Sequence, residues 1–261
     1  MTAVDSQTIH RVMHEIKRRR LEVLRVVDLT PRMRRITLGG PELAGFISLG
    51  TDDHVKLLFP QNAEQTAALE TMVLGGKNDG PMPEMRDYTP RRCDLDTLEL
   101  DIDFVLHGDG PASTWAEQAK PGQFLHIGGP RGSMIVPDIF DSYLLIGDET
   151  ALPAIARRLE GLAANRKALV VIEVENGREQ QVLESAAQVN VIWVLREGGK
   201  DNLLTTVKQL QVPKGNLYAW VATETKVSRQ IRRVLLDEHG LDEKLVKAVG
   251  YWRAEGTSEE E

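Results

Sequence analysis

Arg86, Tyr88 and Thr89 stand at spacing i, i+2, i+3 within Arg86-Asp87-Tyr88-Thr89-Pro90. In an extended segment each can do a different job. The Tyr ring can lie against a flat heterocycle, and the Thr hydroxyl can bond the edge of that heterocycle. The Arg fork can neutralise a phosphate with paired donors. A flavin nucleotide suits that combination, with a planar redox ring at one end and a pyrophosphate in the middle. By itself the triplet also reads as ordinary exposed strand.

Two later stretches carry nucleotide chemistry. In His107-Gly108-Asp109-Gly110-Pro111-Ala112-Ser113-Thr114-Trp115-Ala116, two glycines and a proline force a turn, and Ser113 and Thr114 are expected to open a helix running to Ala119. Free backbone N–H groups, a partial positive charge and two hydroxyls make a pyrophosphate seat there. The alternative is a plain Ser/Thr cap after a turn. Gly147-Asp148-Glu149-Thr150-Ala151 is a strand-to-helix turn of the kind beside which open parallel sheets bind ligands. It lacks Gly-x-Gly-x-x-Gly, and Asp148 and Glu149 repel a pyrophosphate unless they point away. The glycine-rich loop Gly128–Ser133, with its single Arg131, reads as a barrel corner or as a loop under the adenylate half of a cofactor.

The elements that must hold these residues change character midway. Residues 1–20 read as a helical or disordered lead-in. Short strands follow at Leu21–Val27, Arg34–Leu38 and His54–Phe59, divided by Gly39-Gly40-Pro41 and Pro60. Residues 61–85 read as a long surface excursion. Leu98–Phe104 alternates strictly, which predicts one buried and one wet face. From Ser142 onward, continuous apolar runs replace alternation: Tyr143–Ile146, Ala168–Ile172, Val191–Leu195 and Leu217–Val221. Strands buried on both faces read this way. Between them lie helical stripes, one through Leu152, Ile155, Ala156, Leu159 and Leu162 and another over Val227–Glu238. The expected architecture is an antiparallel β-barrel over residues 21–137, then a doubly wound α/β domain over 138–254, then an acidic, disordered tail at 255–261.

Composition sets limits. The 261 residues suffice for two modest domains, and 41% hydrophobic with 27% charged residues is globular. Cys93 is the only cysteine, which excludes a disulfide framework and a four-cysteine iron–sulfur cluster. Electrons, if they move, need an organic carrier. A net charge of −7 argues against nucleic acid, and the Lys17–Arg20 run reads as solvated. His10, His14, His54, His107, His126 and His239 lack ligand spacing. No apolar run reaches the ~18 residues of a membrane span. No signal-peptide core precedes His14 either, so a cytoplasmic location is expected. A monomer is the expected state.

The order of motifs resembles the siderophore-interacting protein family, flavin-dependent ferric-chelate reductases of the ferredoxin-reductase-like superfamily. The resemblance rests on Arg86-x-Tyr88-Thr89, then His107-Gly-x-Gly-Pro-Ala-Ser113-x-Trp115-Ala, then Gly147-Asp-Glu-Thr-Ala-x-Pro-Ala, and the ending Gly250-Tyr251-Trp252-Arg253. It runs from about Leu21 to Arg253. The resemblance implies FAD on the barrel, with Arg86, Tyr88 and Thr89 at the flavin and its phosphates. It places Asp103, Val105, His107, Ala112, Ser113 and Thr114 along the strand and turn that hold the ribityl and pyrophosphate. NADPH or NADH would enter around Gly147, Asp148, Thr150 and Ala151. A ferric siderophore or other ferric chelate would meet a basic patch of Lys56, Arg233 and Arg253. Trp252 would shield the flavin or frame the nicotinamide, or with Tyr251 close the core of the last strand. Lys56 also reads as a solvated strand residue, and Arg233 as paired on its own helix. Arg196, Lys226 and Arg229 are the candidates for a 2′-phosphate. No side chain acts as a catalytic acid, base or nucleophile, and no dedicated metal site is implied. A reductase of this fold with another acceptor, such as free flavin, a quinone or a protein, stays open, as does a binder without electron transfer.

Overall fold

The computed structural model describes residues 7–72, 76, 80–108, 110–199 and 202–254. The chain divides into two compact units, Met1–Pro137 and Asp138–Glu261. The acidic tail expected at 255–261 lies outside the described residues.

Unit 1 is built on an antiparallel sheet. Its strands are β2 (Arg18–Thr30), β3 (Met33–Gly39), β4 (Val55–Phe59), β5 (Glu84–Tyr88), β6 (Pro90–Asp94), β7 (Glu99–Val105) and β8 (Phe124–Gly128). They run in the order β5-β4-β8-β2-β3-β7-β6. The two edge strands, β5 and β6, are consecutive in sequence with only Thr89 between them. The sheet therefore has to curl until its edges come together at that corner, and because they do not pair with each other it stays a half-barrel, around Leu21, Val23, Ile36, Leu38, Leu57, Leu100, Ile102, Phe104 and Ile127.

Three expectations are corrected here. The lead-in is not helical over its described part: β1 (His10–Met13) pairs antiparallel with β9 (Gly132–Ile135), and β2 begins at Arg18. His14 fixes this strand from its end, its Nε2 lying 2.8 Å from the Ser133 hydroxyl, which donates to Asp53 at 2.6 Å. Residues 61–85 include a helix, α1 (Ala63–Thr71), capped by the Asn62 side chain accepting from the Gln65 N–H, and they end in β5. Leu69 of α1 packs on Leu58 and Met72. Lastly, the polar face of β7 is not wet. Asp101 and Asp103 are only 5% and 7% exposed. Each stands opposite a partner on β3, Thr37 facing Asp101 and Arg35 facing Asp103. Cross-strand pairing, not water, satisfies them.

Unit 2 is a parallel sheet in the order β12-β11-β10-β13-β14. Its strands are β10 (Ser142–Asp148), β11 (Lys167–Val174), β12 (Gln188–Leu195), β13 (Leu217–Glu224) and β14 (Val246–Trp252). The helices are α3 (Leu152–Glu160), α4 (Leu203–Lys208) and α5 (Thr225–Arg233), α5 continuing as a wider helical turn to Glu238. The central strands β10 and β13 are buried along their whole length, as their apolar runs require.

Asp138 ties the start of this unit together, accepting from the Tyr143 hydroxyl at 2.8 Å, the Arg166 guanidinium at 2.9 Å and the Ala163 N–H at 3.0 Å. Burial works to raise its pKa, but the Ala163 and Tyr143 hydrogen bonds and the Arg166 charge outweigh it and hold the carboxyl below the ordinary 3.8. A depressed carboxylate adds stability above its unfolded pKa, and that stability disappears as the pH falls through the folded value. Unit 2 should therefore lose stability in the window below about pH 4. In Asp138→Asn that acid-dependent loss should be smaller, on a lower baseline at neutral pH, as denaturant titrations at several pH values would read.

Candidate functional site

Arg86 and Tyr88 sit two residues apart on edge strand β5 and so share a face of the sheet. On that face Tyr88 stands opposite Val55 and Arg86 opposite Leu57. The Tyr88 ring rests on Phe104, with centroids 4.6 Å apart, and Phe104 in turn meets Trp115 at 5.7 Å. Burial pushes the Tyr88 hydroxyl above its ordinary range, so the group is a neutral ring and not an acid. The Arg86 guanidinium is half exposed, bonded to Glu84 at 2.8 Å and to the Met85 carbonyl at 2.9 Å. A surface pair of that kind exchanges readily for a phosphate. Thr89 is buried in the corner between the two sheet edges.

The next turn does not form as expected. Helix α2 spans Gly110–Gln118, so Ser113 and Thr114 lie inside its first turns and do not open it. Ser113 is fully buried, and its hydroxyl accepts from the His107 and Gly108 N–H groups at 3.0 and 3.2 Å. It shapes the turn instead of offering donors outward. Ala112 is buried, whereas Thr114 and the His107 side chain are exposed and Val105 is half-buried. Gly108 and Gly110 adopt φ of +81° and +80°, and a side chain on Gly108 would meet nothing within 4 Å. The turn thus presents bare backbone to open space, the surface a nucleotide chain needs. Asp103 is committed elsewhere, to a two-pronged bond with Arg35 at 2.7 and 2.8 Å.

These residues fit an FAD: a guanidinium held only by surface partners, a ring backed by an aromatic cluster, and a glycine turn with room beside it.

Lys56 projects from the opposite face of the β4–β5 ribbon from Arg86 and Tyr88, and bonds Asp87 across the strands at 2.8 Å. Arg131, in the β8–β9 connection, is exposed and pairs with no carboxylate among the described residues. Its only signal in the sequence is the glycine-rich loop around it.

In unit 2 the turn after β10 is tightly built. A methyl group on Gly147 would collide with Ala151 and lie 2.7 Å from the Ala222 carbonyl oxygen, so strand and turn approach closely there. Asp148 and Glu149 point inward. Glu149 accepts from the Glu175 N–H at 2.9 Å and from both terminal nitrogens of Arg196. Arg196 also reaches Glu173 at 3.1 Å and Glu175 at 3.4 Å. Burial alone would lower its pKa, but hydrogen bonding and attraction from Glu149 and Glu173 raise it well above the usual value. Arg196 is therefore spent on three carboxylates.

The Asp148 carboxylate is 2% exposed and accepts from Thr150, Thr223 and Trp252. Next to Trp252 is a cavity of about 320 Å³, lined by Thr225, Ser228 and Arg229 of α5 and by Ala248, Gly250, Tyr251, Trp252 and Arg253 of β14 and its exit. It sits at the carboxyl ends of β13 and β14, where open parallel sheets take ligands. Arg253 and Trp252 are thus brought together with Arg229, while Arg233 closes α5 one turn further on, and neither it nor Lys226 lines the cavity. The first α5 amides are occupied: the Glu224 carboxylate accepts from the Lys226 and Val227 N–H groups at 2.7 and 3.0 Å.

Comparison with known proteins agrees across both units. Residues 22–134 match the family described as siderophore-interacting FAD-binding domain, and residues 140–255 match the siderophore-interacting protein family. The NADPH-dependent ferric-chelate reductase of Escherichia coli is 37% identical over 251 residues, 94% of this chain and 96% of that protein. Ferric vibriobactin reductase of Vibrio cholerae is 32% identical, over 93% of this chain and 91% of its own. A crystal structure of a siderophore utilization protein from T. fusca superposes with a TM-score of 0.84 at 38% identity, covering 97% of this chain and 99% of that one.

Proposed function

The chain belongs to the siderophore-interacting protein family, and on that premise we propose that it reduces ferric siderophores or other ferric chelates, passing electrons from NADPH or NADH through bound FAD to Fe(III). What supports the reading is the likeness to a ferric-chelate reductase over 94% of this chain and 96% of that protein, together with an Arg86 fork held by surface partners and a Tyr88 ring backed by Phe104 in the first unit. Among the described residues no helix is long and apolar enough to cross a membrane, and we place the reaction in the cytoplasm.

FAD bound there would supply the conversion between hydride donation by the nicotinamide, two electrons at once, and acceptance by Fe(III), one electron at a time. The rest falls to this chain's residues. Arg86 holds a phosphate with its fork, exchanging the surface carboxylate of Glu84 for it. Tyr88, backed by Phe104, supplies an apolar ring face, and Thr89 a hydroxyl at the corner of the half-barrel. The Leu106–Gly110 turn lets a nucleotide chain pass along bare backbone. In unit 2 the Trp252–Arg253 cavity receives part of the nicotinamide nucleotide. Lys56 and Arg253 attract an anionic chelate. Fe(II) is then held far more weakly by its chelator than Fe(III), which completes release.

The test is anaerobic. The flavin-loaded protein is reduced with NADPH or NADH, then mixed in stopped flow with ferric chelates, quinones or free flavin. Ferric chelates should reoxidise it fastest. If they act no faster than on free reduced flavin, the iron assignment fails, and a preference for quinone or flavin would establish the other acceptor class.

Lys56→Glu sets a carboxylate opposite Asp87 in place of an ion pair. Reduction of anionic chelates should slow about 10-fold at low salt, the low end of what charge steering supports. NAD(P)H oxidation by a neutral acceptor should stay nearly unchanged. Equal loss with both acceptors would assign Lys56 to the fold.

A further inference from the structure

Four hydrogen bonds converge on one buried carboxylate at the carboxyl ends of three strands. One Asp148 oxygen accepts from the backbone N–H of Thr150 at 2.9 Å and from its hydroxyl. The other accepts from the Thr223 hydroxyl at 2.7 Å and from the Trp252 indole Nε1–H at 2.8 Å. Two of these groups, the Thr150 amide and the indole, can only donate, so each Asp148 oxygen accepts at least one hydrogen bond. Among the described residues no guanidinium or ammonium pairs with it, although a buried carboxylate usually has such a partner. A charge kept in this way, on neutral donors alone, is spent on geometry.

What it orients is Trp252. The indole edge points inward to Asp148, while the residue as a whole is 44% exposed. Among the described residues no ring or cation packs on its face: the neighbouring aromatic pair is Trp220 with Tyr251, at 6.0 Å. Its backbone is fixed as well, the Trp252 carbonyl accepting from the Thr225 hydroxyl at 3.0 Å. Gly250 allows that approach, since a side chain there would lie 2.9 Å from the Thr225 Cα. An indole held by edge and backbone beside a cavity, with a bare face, is a stacking platform for a planar heteroaromatic ring.

We propose that Asp148 is a positioning residue that presents the Trp252 face to a planar ring of the nicotinamide nucleotide, either the nicotinamide or the adenine. This rests on the nucleotide assignment above. Asp148 itself touches no substrate; it acts through Trp252. The inward carboxylate also explains how this turn carries an acidic pair without repelling a nucleotide.

The experiment uses flavin-loaded full-length protein, with the four Trp indole N–H groups observed by NMR and Trp252 assigned from Trp252→Phe. In Asp148→Asn the full charge is lost whichever way the amide settles, so the Trp252 indole proton should move upfield and exchange faster. Both variants should raise KM for NADPH about tenfold, the size of one hydrogen bond to a charged group, with kcat changed less than about twofold and FAD content unchanged. Because both act through the same contact, the double variant should be no worse than either single. Titration with reduced nicotinamide mononucleotide and with 2′,5′-ADP then decides which ring stacks: only that compound should shift the Trp252 signal. An unchanged indole resonance in Asp148→Asn, fully multiplicative KM effects, or no Trp252 shift with either compound would each overturn the proposal. A Trp252→Phe protein that binds the ring fragments as wild type does would overturn it too. The NMR and fragment readouts need no iron, so failure of ferric-chelate reduction would sink the functional reading without touching them.

Discussion

Arg35→Ala should destabilise unit 1 by about 3 kcal/mol, the low end of the cost of breaking a buried ion pair by removing one partner. The reason lies in asymmetry of exposure. Asp103 shows 5% of its side chain to solvent and Arg35 27%. Removing the Arg leaves a buried carboxylate facing β3 with no donor, since both of its oxygens are bound by Arg35. Asp103→Asn should cost less, because an amide is cheaper to bury than a charge. Denaturant midpoints of the two variants, read with a probe in unit 1, decide the matter. If Arg35→Ala and wild type melt together, the pair is not what closes β3 on β7. Flavin loss in Arg35→Ala should track unfolding and vanish under conditions where the variant is folded, which places Asp103 in the barrel wall and not at the cofactor.

Arg86→Ala should do the reverse. The exposed Arg86–Glu84 pair contributes little to stability, so the midpoint should shift by less than about 0.5 kcal/mol. FAD affinity should fall about 10- to 100-fold, since a phosphate would lose a charge-assisted partner worth ~1.5–3 kcal/mol. Arg86→Lys should recover only part of that, keeping the charge but not the fork. Flavin fluorescence on titration into the deflavinated proteins reads the effect directly. Full occupancy in Arg86→Ala at limiting FAD would remove Arg86 from the site.

Set side by side, these arginines show where residue pattern alone suffices and where it stops. Tyr143–Ile146 and Leu217–Val221 read correctly as doubly buried strands, because burial on both faces leaves no alternation to misread. The β7 alternation was legible, but Asp101 and Asp103 appeared wet: polarity along one strand says nothing of an Arg or Thr facing it from the next. Strand β1 was invisible because its partner lies more than a hundred positions away, as the His14–Ser133 separation of 119 shows. Helix α1 lacks an apolar stripe and is fixed by the Asn62 cap and the burial of Leu69. Ser113 looked like a helix opener because hydroxyls favour that position; the glycine turn starts the helix three residues sooner. At the site, motif order located Asp148 and Trp252 separately, but not the contact that joins them across 104 positions.

The last strand of the parallel sheet has a consequence for synthesis. β14 is both the outer neighbour of β13 and the bearer of Tyr251 and Trp252. A nascent chain that has not yet emerged past Val246 leaves β13 as a bare edge and the hollow beside α5 without its far wall. Whatever that hollow holds must therefore wait until β14 has been made and docked, and fragments released before Val246 should not hold it.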